Sequence, residues 1–162
     1  MKKLDEPIRV VVLSQTLKRV YPTSISNAIG KIKEGYIFES SEIYYRVNDV
    51  KDVMSKGYYK DSEGRFILTS ATREVIESKD FGIAKDNIVL KRFFNQTASK
   101  LANINKGELF IIRCKFKIGS KIVYNIIYKG KFGYIVEPNI EETNNVTVED
   151  CSKLIKDLVM NI

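Results

Sequence analysis

Residues 38–77 read FESSEIYYRVNDVKDVMSKGYYKDSEGRFILTSATREVIE. Ile43, Val47, Val50 and Met54 recur at i, i+4, i+7 and i+11, the spacing of one apolar helix stripe, and Gly57 follows where a left-handed C-cap would end such a helix. The opposite side of that helix would carry Ser41, Tyr45, Asn48, Asp49 and Asp52. Asp61-Ser62-Glu63-Gly64 then separates two short β-prone runs, Tyr58-Tyr59-Lys60 and Arg65 to Leu68, which is a hairpin signal. Thr69 or Ser70 can cap a further helix through a side-chain oxygen. The predicted order is helix, hairpin, helix.

Upstream, Asp5-Glu6-Pro7 has the composition of a helix start, and Val10, Leu13, Leu17 and Val20 keep helical spacing as far as Tyr21. A rival reading makes Ile8 to Leu13 a buried strand, because Val10-Val11-Val12 is β-branched. The helical pattern is preferred because it runs on to Pro22. Thr23 or Ser24 can cap a second helix, with Ile25, Ala28, Ile29 and Ile32 on one face and Gly35 at its end. Helices are thus predicted over 5–21, 24–34 and 40–56.

The run from Tyr44 to Glu77 resembles the end of a winged helix-turn-helix domain of the PadR/MarR-like transcription regulators. The resemblance spans residues 5–78. Thr72 stands where many relatives have glycine, which alters the entry to the following helix. It implies a DNA-binding regulator in which helix 40–56 enters the major groove, with Ser41, Tyr44, Tyr45, Arg46 and Asn48 reading base edges. Lys60 and Arg65, beside the wing turn, would hold phosphates. Tyr44 also borders the apolar stripe, where packing is its plainer role. The resemblance further implies a homodimer paired through helices outside the recognition unit, over Lys85 to Ile104 or Leu154 to Ile162.

Beyond a linker at 78–84, Leu90, Phe94, Ala98 and Leu101 mark one face of a predicted helix over Lys85 to Ile104. Phe110, Ile112, Cys114, Phe116 and Ile118 alternate with Arg113, Lys115 and Lys117 in a strand, and Ile122, Tyr124, Ile126 and Tyr128 define a second. A two-residue turn at Gly119-Ser120 would set 116 opposite 123 and misalign the two apolar sets, so a three-residue loop or a bulge is expected there. Phe132, Tyr134 and Val136 suggest a third strand, and Thr147 caps a last helix. The expected fold is α+β: a winged helix-turn-helix domain over 1–78 and an α-β-β-β-α module over 79–162. No internal repeat is apparent.

The chain has 162 residues with 27 Lys+Arg, 20 Asp+Glu and no His, a net charge of +7 that favours a polyanionic partner, double-stranded DNA under the resemblance. The segment 40–57 is electrically neutral, with three basic and three acidic residues. Residues 79–131 hold twelve basic residues against three acids, so Arg113, Lys115 and Lys117 are candidate accessory phosphate contacts. Without His, a Walker loop, a nucleophile elbow or a dinucleotide glycine pattern, no catalytic residue is assigned and an enzyme is not expected. Cys114 and Cys151 lack metal-ligand spacing, so neither metal nor cofactor is expected. With no export signal or membrane-length apolar run, a cytoplasmic protein with no membrane partner is expected. The alternative function is a winged-helix docking subunit of a transcription or replication assembly.

Overall fold

In the computed structural model the described residues are 2–23, 26–45 and 57–160. Among them are fourteen strands and one α-helix, so the protein is all-β and the winged helix-turn-helix reading is overturned. The chain divides into two compact units, Met1–Val75 and Ile76–Ile162.

The first unit holds β1 (Lys2–Val12), β2 (Thr16–Arg19), β3 (Ala28–Ile32), β4 (Ile37–Tyr45), β5 (Gly57–Lys60), β6 (Phe66–Leu68) and β7 (Thr72–Glu74). They form an antiparallel sheet in the order β3-β2-β6-β5-β4-β1-β7. The predicted helix 5–21 is instead β1, a turn and β2, and the described part of 24–34 holds β3; Ser24, one of the two proposed caps, lies outside the described residues. Val10, Val11 and Val12 are all fully buried, because β1 lies between β4 and β7 with both faces covered. A β-branched run suits a strand buried on both sides and resists a helix. Pro7, read as a helix start, sits where the β1–β4 register shifts between Lys3 and Ile8, a place that tolerates a missing N–H.

Residues 40–45 of the predicted recognition helix belong to β4; 46–56, with the rest of its stripe, lie outside the described residues. Gly57 opens a strand and does not end a helix. The predicted hairpin is present: Asp61 N–H donates to Arg65 O at 2.8 Å, and Gly64, at φ 78°, closes the turn. Thr69–Ala71 is a single 3-10 turn that leads into β7, not into a helix.

The second unit holds β8 (Phe81–Ala84), β9 (Ile88–Lys91), β10 (Lys100–Ile104), β11 (Leu109–Ile118), β12 (Lys121–Tyr128), β13 (Lys131–Val136), β14 (Ile140–Thr143) and helix α1 (Val148–Met160). Its sheet order is β10-β9-β13-β12-β11-β8-β14. The predicted linker contains β8, and the predicted helix over Lys85 to Ile104 is β9, a loop and β10. Leu90 and Ile104 from one end of the sheet share a core with Ala84 and Ile140 from the other, so the sheet curls on itself. The first unit does the same, with Ile32 against Val12.

Gly119-Ser120 is a two-residue turn pairing Ile118 with Lys121, the register judged unworkable from sequence. Gly119 takes φ 61°, as the first position of a type II′ turn requires. The mismatch is absorbed at Arg113, an extra residue between the pairs Ile112↔Ile126 and Cys114↔Asn125. Phe110 and Ile112 therefore face the core with Ile126, while Cys114 and Phe116 face the other side with Asn125 and Val123. Both sides are covered, so the alternation in sequence continues across a change of face.

Numbering strands in chain order, each strand of the second sheet occupies the position of the strand seven earlier in the first. Gly35 N donates to Val12 O at 2.7 Å, and 72 residues on Gly107 N donates to Ala84 O at 2.8 Å. The bonds Val12 N to Tyr36 O and Ala84 N to Glu108 O match at the same offset, as do Val20 N to Asn27 O and Arg92 N to Ser99 O. Leu13 N to Ala71 O matches Lys85 N to Asn139 O after a shorter β-hairpin. The two units are an internal repeat, with Ile32-x-x-Gly35-x-x-Phe38 recurring as Ile104-x-x-Gly107-x-x-Phe110. Both glycines have left-handed φ, 86° and 90°.

Candidate ligand groove

The face of the second sheet turned away from its main core carries Val89 and Lys91 on β9, Phe116 and Ile118 on β11, Lys121 and Val123 on β12, and Tyr134 and Val136 on β13. The loop 92–99 folds over this face and lays Phe93 and Phe94 on it. Their centroids are 4.0 Å apart, and Phe94 meets Phe116 and Tyr134 edge-on at 5.9 and 5.8 Å. Edge-to-face packing of this kind fixes ring positions. Gly133 allows β13 to close on β9, since a Cβ there would lie 2.6 Å from Lys91 O and 2.7 Å from a Leu90 methyl.

Between loop and sheet lies an open groove of about 230 Å³ floored by Val123, Tyr134 and Val136. Val89 and Val136 remain 43% and 39% exposed, more than packing alone requires. Lys91 and Lys121 stand at its rim. The Lys91 ammonium donates to Gln96 O at 3.2 Å, and Lys121 is exposed with no ion pair among the described residues. The groove combines flat apolar surface with positive charge.

Elsewhere in the unit, acids pair with Lys85, Lys115 and Lys129. Lys115 Nζ and the Tyr124 hydroxyl both donate to Glu142 Oε2 at 2.8 Å, and Lys79 N–H donates to Oε1 at 3.1 Å. Burial opposes ionisation of Glu142, but these three donors outweigh it and hold the carboxyl below its usual range. Burial first, then Glu142, pushes the Tyr124 phenol well above its ordinary value. Lys85 pairs with Glu141 at 2.8 Å.

The residues predicted from sequence are dispersed. Ser41 is exposed on β4, and Tyr44 packs edge-on against Phe66 at 5.0 Å while donating to Glu42 Oε2 at 2.8 Å. Tyr45 ends β4 opposite Gly57. Arg46 and Asn48 lie outside the described residues. Lys60 pairs with Glu42 at 3.6 Å, and Arg65 lies at the β5–β6 turn, where its N–H donates to Asp61. Arg113, at the bulge, donates to Asn125 Oδ1 at 2.8 Å. Lys115 is tied to Glu142, and Lys117 is exposed. Sequence reasoning missed Lys91, Phe93, Lys121 and Tyr134 as a group. The adjacent Phe93-Phe94 before Asn95-Gln96-Thr97 was the available signal, hidden by the assignment of Phe94 to a helical stripe.

No protein-family model matches the chain, and no curated protein matches it. Among the described residues no helix is long and apolar enough to cross a membrane.

Proposed function

We propose that the chain is a non-catalytic binding protein for single-stranded nucleic acid, held on the aromatic face of its second unit. The observation that carries this reading is the groove in which the half-buried rings of Phe93 and Phe94, backed by buried Tyr134, supply flat apolar surface and Lys91 and Lys121 supply charge. Single strands present both unstacked bases and phosphates, and aromatic platforms beside cations suit them. Duplex reading by a helix over 40–56 is no part of the proposal, because 40–45 are strand.

The test is fluorescence anisotropy of a labelled oligothymidylate against the full chain at low salt. Micromolar binding that beats a duplex of the same length, and that weakens in Phe93→Ala, is the expected result. Absence of binding, or equal competition by polyglutamate of the same charge, overturns the reading.

The chain is further proposed to pair with a second copy through α1. Val148, Ile155 and Val159 form an outward stripe, 85%, 53% and 64% exposed. Glu149 and Asp150 precede Lys153 and Lys156, so an antiparallel pair sets acids of one helix against lysines of the other. The other predicted pairing segment, Lys85 to Ile104, is strand and loop. A cytoplasmic setting is also proposed: neither Cys114 nor Cys151 is in a disulfide, which suits a reducing compartment.

A further inference from the structure

We infer that the first unit carries a second copy of the groove, centred on Arg19, Tyr21, Tyr44 and Phe66, and that the chain is a two-site binder of single strands. The inference rests on the nucleic-acid reading of the first groove and extends it to the first unit, where Tyr21 is left outside the packing.

The repeat aligns the two faces residue by residue. Arg19 pairs across with Phe66 as Lys91 pairs with Tyr134, which puts a cation beside an aromatic ring at the same place in both sheets. Tyr44 meets Phe66 edge-on at 5.0 Å, and Phe116 meets Tyr134 edge-on at 6.4 Å. Tyr44 and Phe116 are again 72 residues apart.

The loops correspond too. Ser26 N donates to Thr23 O at 3.1 Å, and Ala98 N donates to Asn95 O at 3.2 Å. In each unit the cation is tethered to its own loop. The Arg19 guanidinium donates to Ser26 O at 2.8 Å, as Lys91 does to Gln96 O. Tyr21 occupies the place of Phe93 and is 66% exposed. Core packing accounts for Phe66, which is buried, but not for the Tyr21 ring, left in water two residues beyond Arg19. Arg19 is better suited than a lysine to stack on a base as well as to hold a phosphate.

The two sites differ in their rings. Tyr58, which is buried, stands where the second unit has Val123, and Pro22 stands where it has Phe94, so the first site has one loop ring in place of two and is expected to be the weaker.

The test is calorimetric titration of the full chain with hexathymidylate, short enough to occupy one site. The wild-type chain is expected to saturate at two equivalents. Arg19→Glu combined with Tyr21→Ala is expected to saturate at one, retaining the tighter site. Lys91→Glu combined with Phe93→Ala is expected to saturate at one with the weaker site. Circular dichroism checks that each variant is folded, and Arg19→Lys, which keeps the charge, is expected to restore the second equivalent with affinity lowered several-fold. Saturation of the wild type at one equivalent, unchanged by the Arg19 and Tyr21 substitutions, overturns the second site and leaves the first standing. No hexamer binding to the wild type takes down both.

Discussion

Lys115 Nζ and Glu142 Oε2 lie 2.8 Å apart, and the Tyr124 hydroxyl donates to that same carboxylate oxygen. The arrangement fastens edge strand β14 to β11 and β12, and it sets a pH dependence. Glu142 ionises more readily folded than unfolded, so its contribution is fully present above the ordinary carboxylate value of about 4.3 and is lost as pH falls through its lower folded value. Tyr124 is shifted upward, so its contribution is complete below about pH 10 and is lost as pH rises toward the folded value. Urea unfolding followed across pH should show Glu142→Gln less stable at neutrality by about 1–3 kcal/mol. The same variant should also show less loss of stability than wild type below pH 4.

Gly133 permits the approach of β13 to β9. Gly133→Ala places a methyl against Lys91 O and Leu90, neither of which is a flexible tip. A cost of about 1–3 kcal/mol is expected from overpacking. Gly30→Ala is the control, since nothing lies within 4 Å of a Cβ there. Equal denaturation midpoints for the two variants would show that β9 can give way.

The bulge at Arg113 makes an unusual prediction about deletions. Removing Arg113 joins Ile112 to Cys114 with each side chain still on its present face, so only the bulge and the bond to buried Asn125 are lost. That should cost about 1–3 kcal/mol for the unpaired amide oxygen. Removing Ile111 instead keeps the bulge and turns the fully buried Phe110 out of the core. The first deletion should fold cooperatively and the second should not, as read by the sharpness of thermal unfolding.

The same strand shows what was legible in the sequence. Alternation located β11, β12 and β13, the Asp61-Ser62-Glu63-Gly64 turn located the β5–β6 hairpin, and the capping Thr147 located α1, because these signals are local. Alternation could not reveal that β11 changes face at Arg113, since residues buried on either side look alike. The stripe of Ile43, Val47, Val50 and Met54 misled: Ile43 pairs with Tyr59 in a sheet, and helical spacing over so few apolar residues arises by chance. Val10-Val11-Val12 carried the right signal, but its place between two strands depends on partners far along the chain. The groove was hidden for the same reason, since Lys91, Lys121 and Tyr134 meet only once the sheet forms. The repeat escaped notice because its match lies in sheet order and hydrogen bonds more than in residue identity.

Pairing through α1 is checked by sedimentation. The wild-type chain should be dimeric at micromolar concentration, and Ile155→Lys combined with Val159→Lys should be monomeric with its unfolding midpoint little changed, because both side chains are exposed. A monomeric wild type would leave the stripe as surface only.

The last prediction separates the groove from the rest of the basic surface. Binding that neutralises phosphates weakens with salt by a slope of about 0.7 per contact for single strands. Lys91 and Lys121 stand at the groove rim, so changing both to Ala should lower that slope by roughly one to one and a half. Lys115, and neither of those two, was a candidate from sequence, but its charge is already met by Glu142. Lys115→Ala should therefore leave the slope unaltered and act only on stability. If Lys115→Ala lowers the slope while the Lys91 and Lys121 changes do not, the nucleic acid lies on the opposite face of the sheet, beside Tyr124, and the assignment of the groove is wrong.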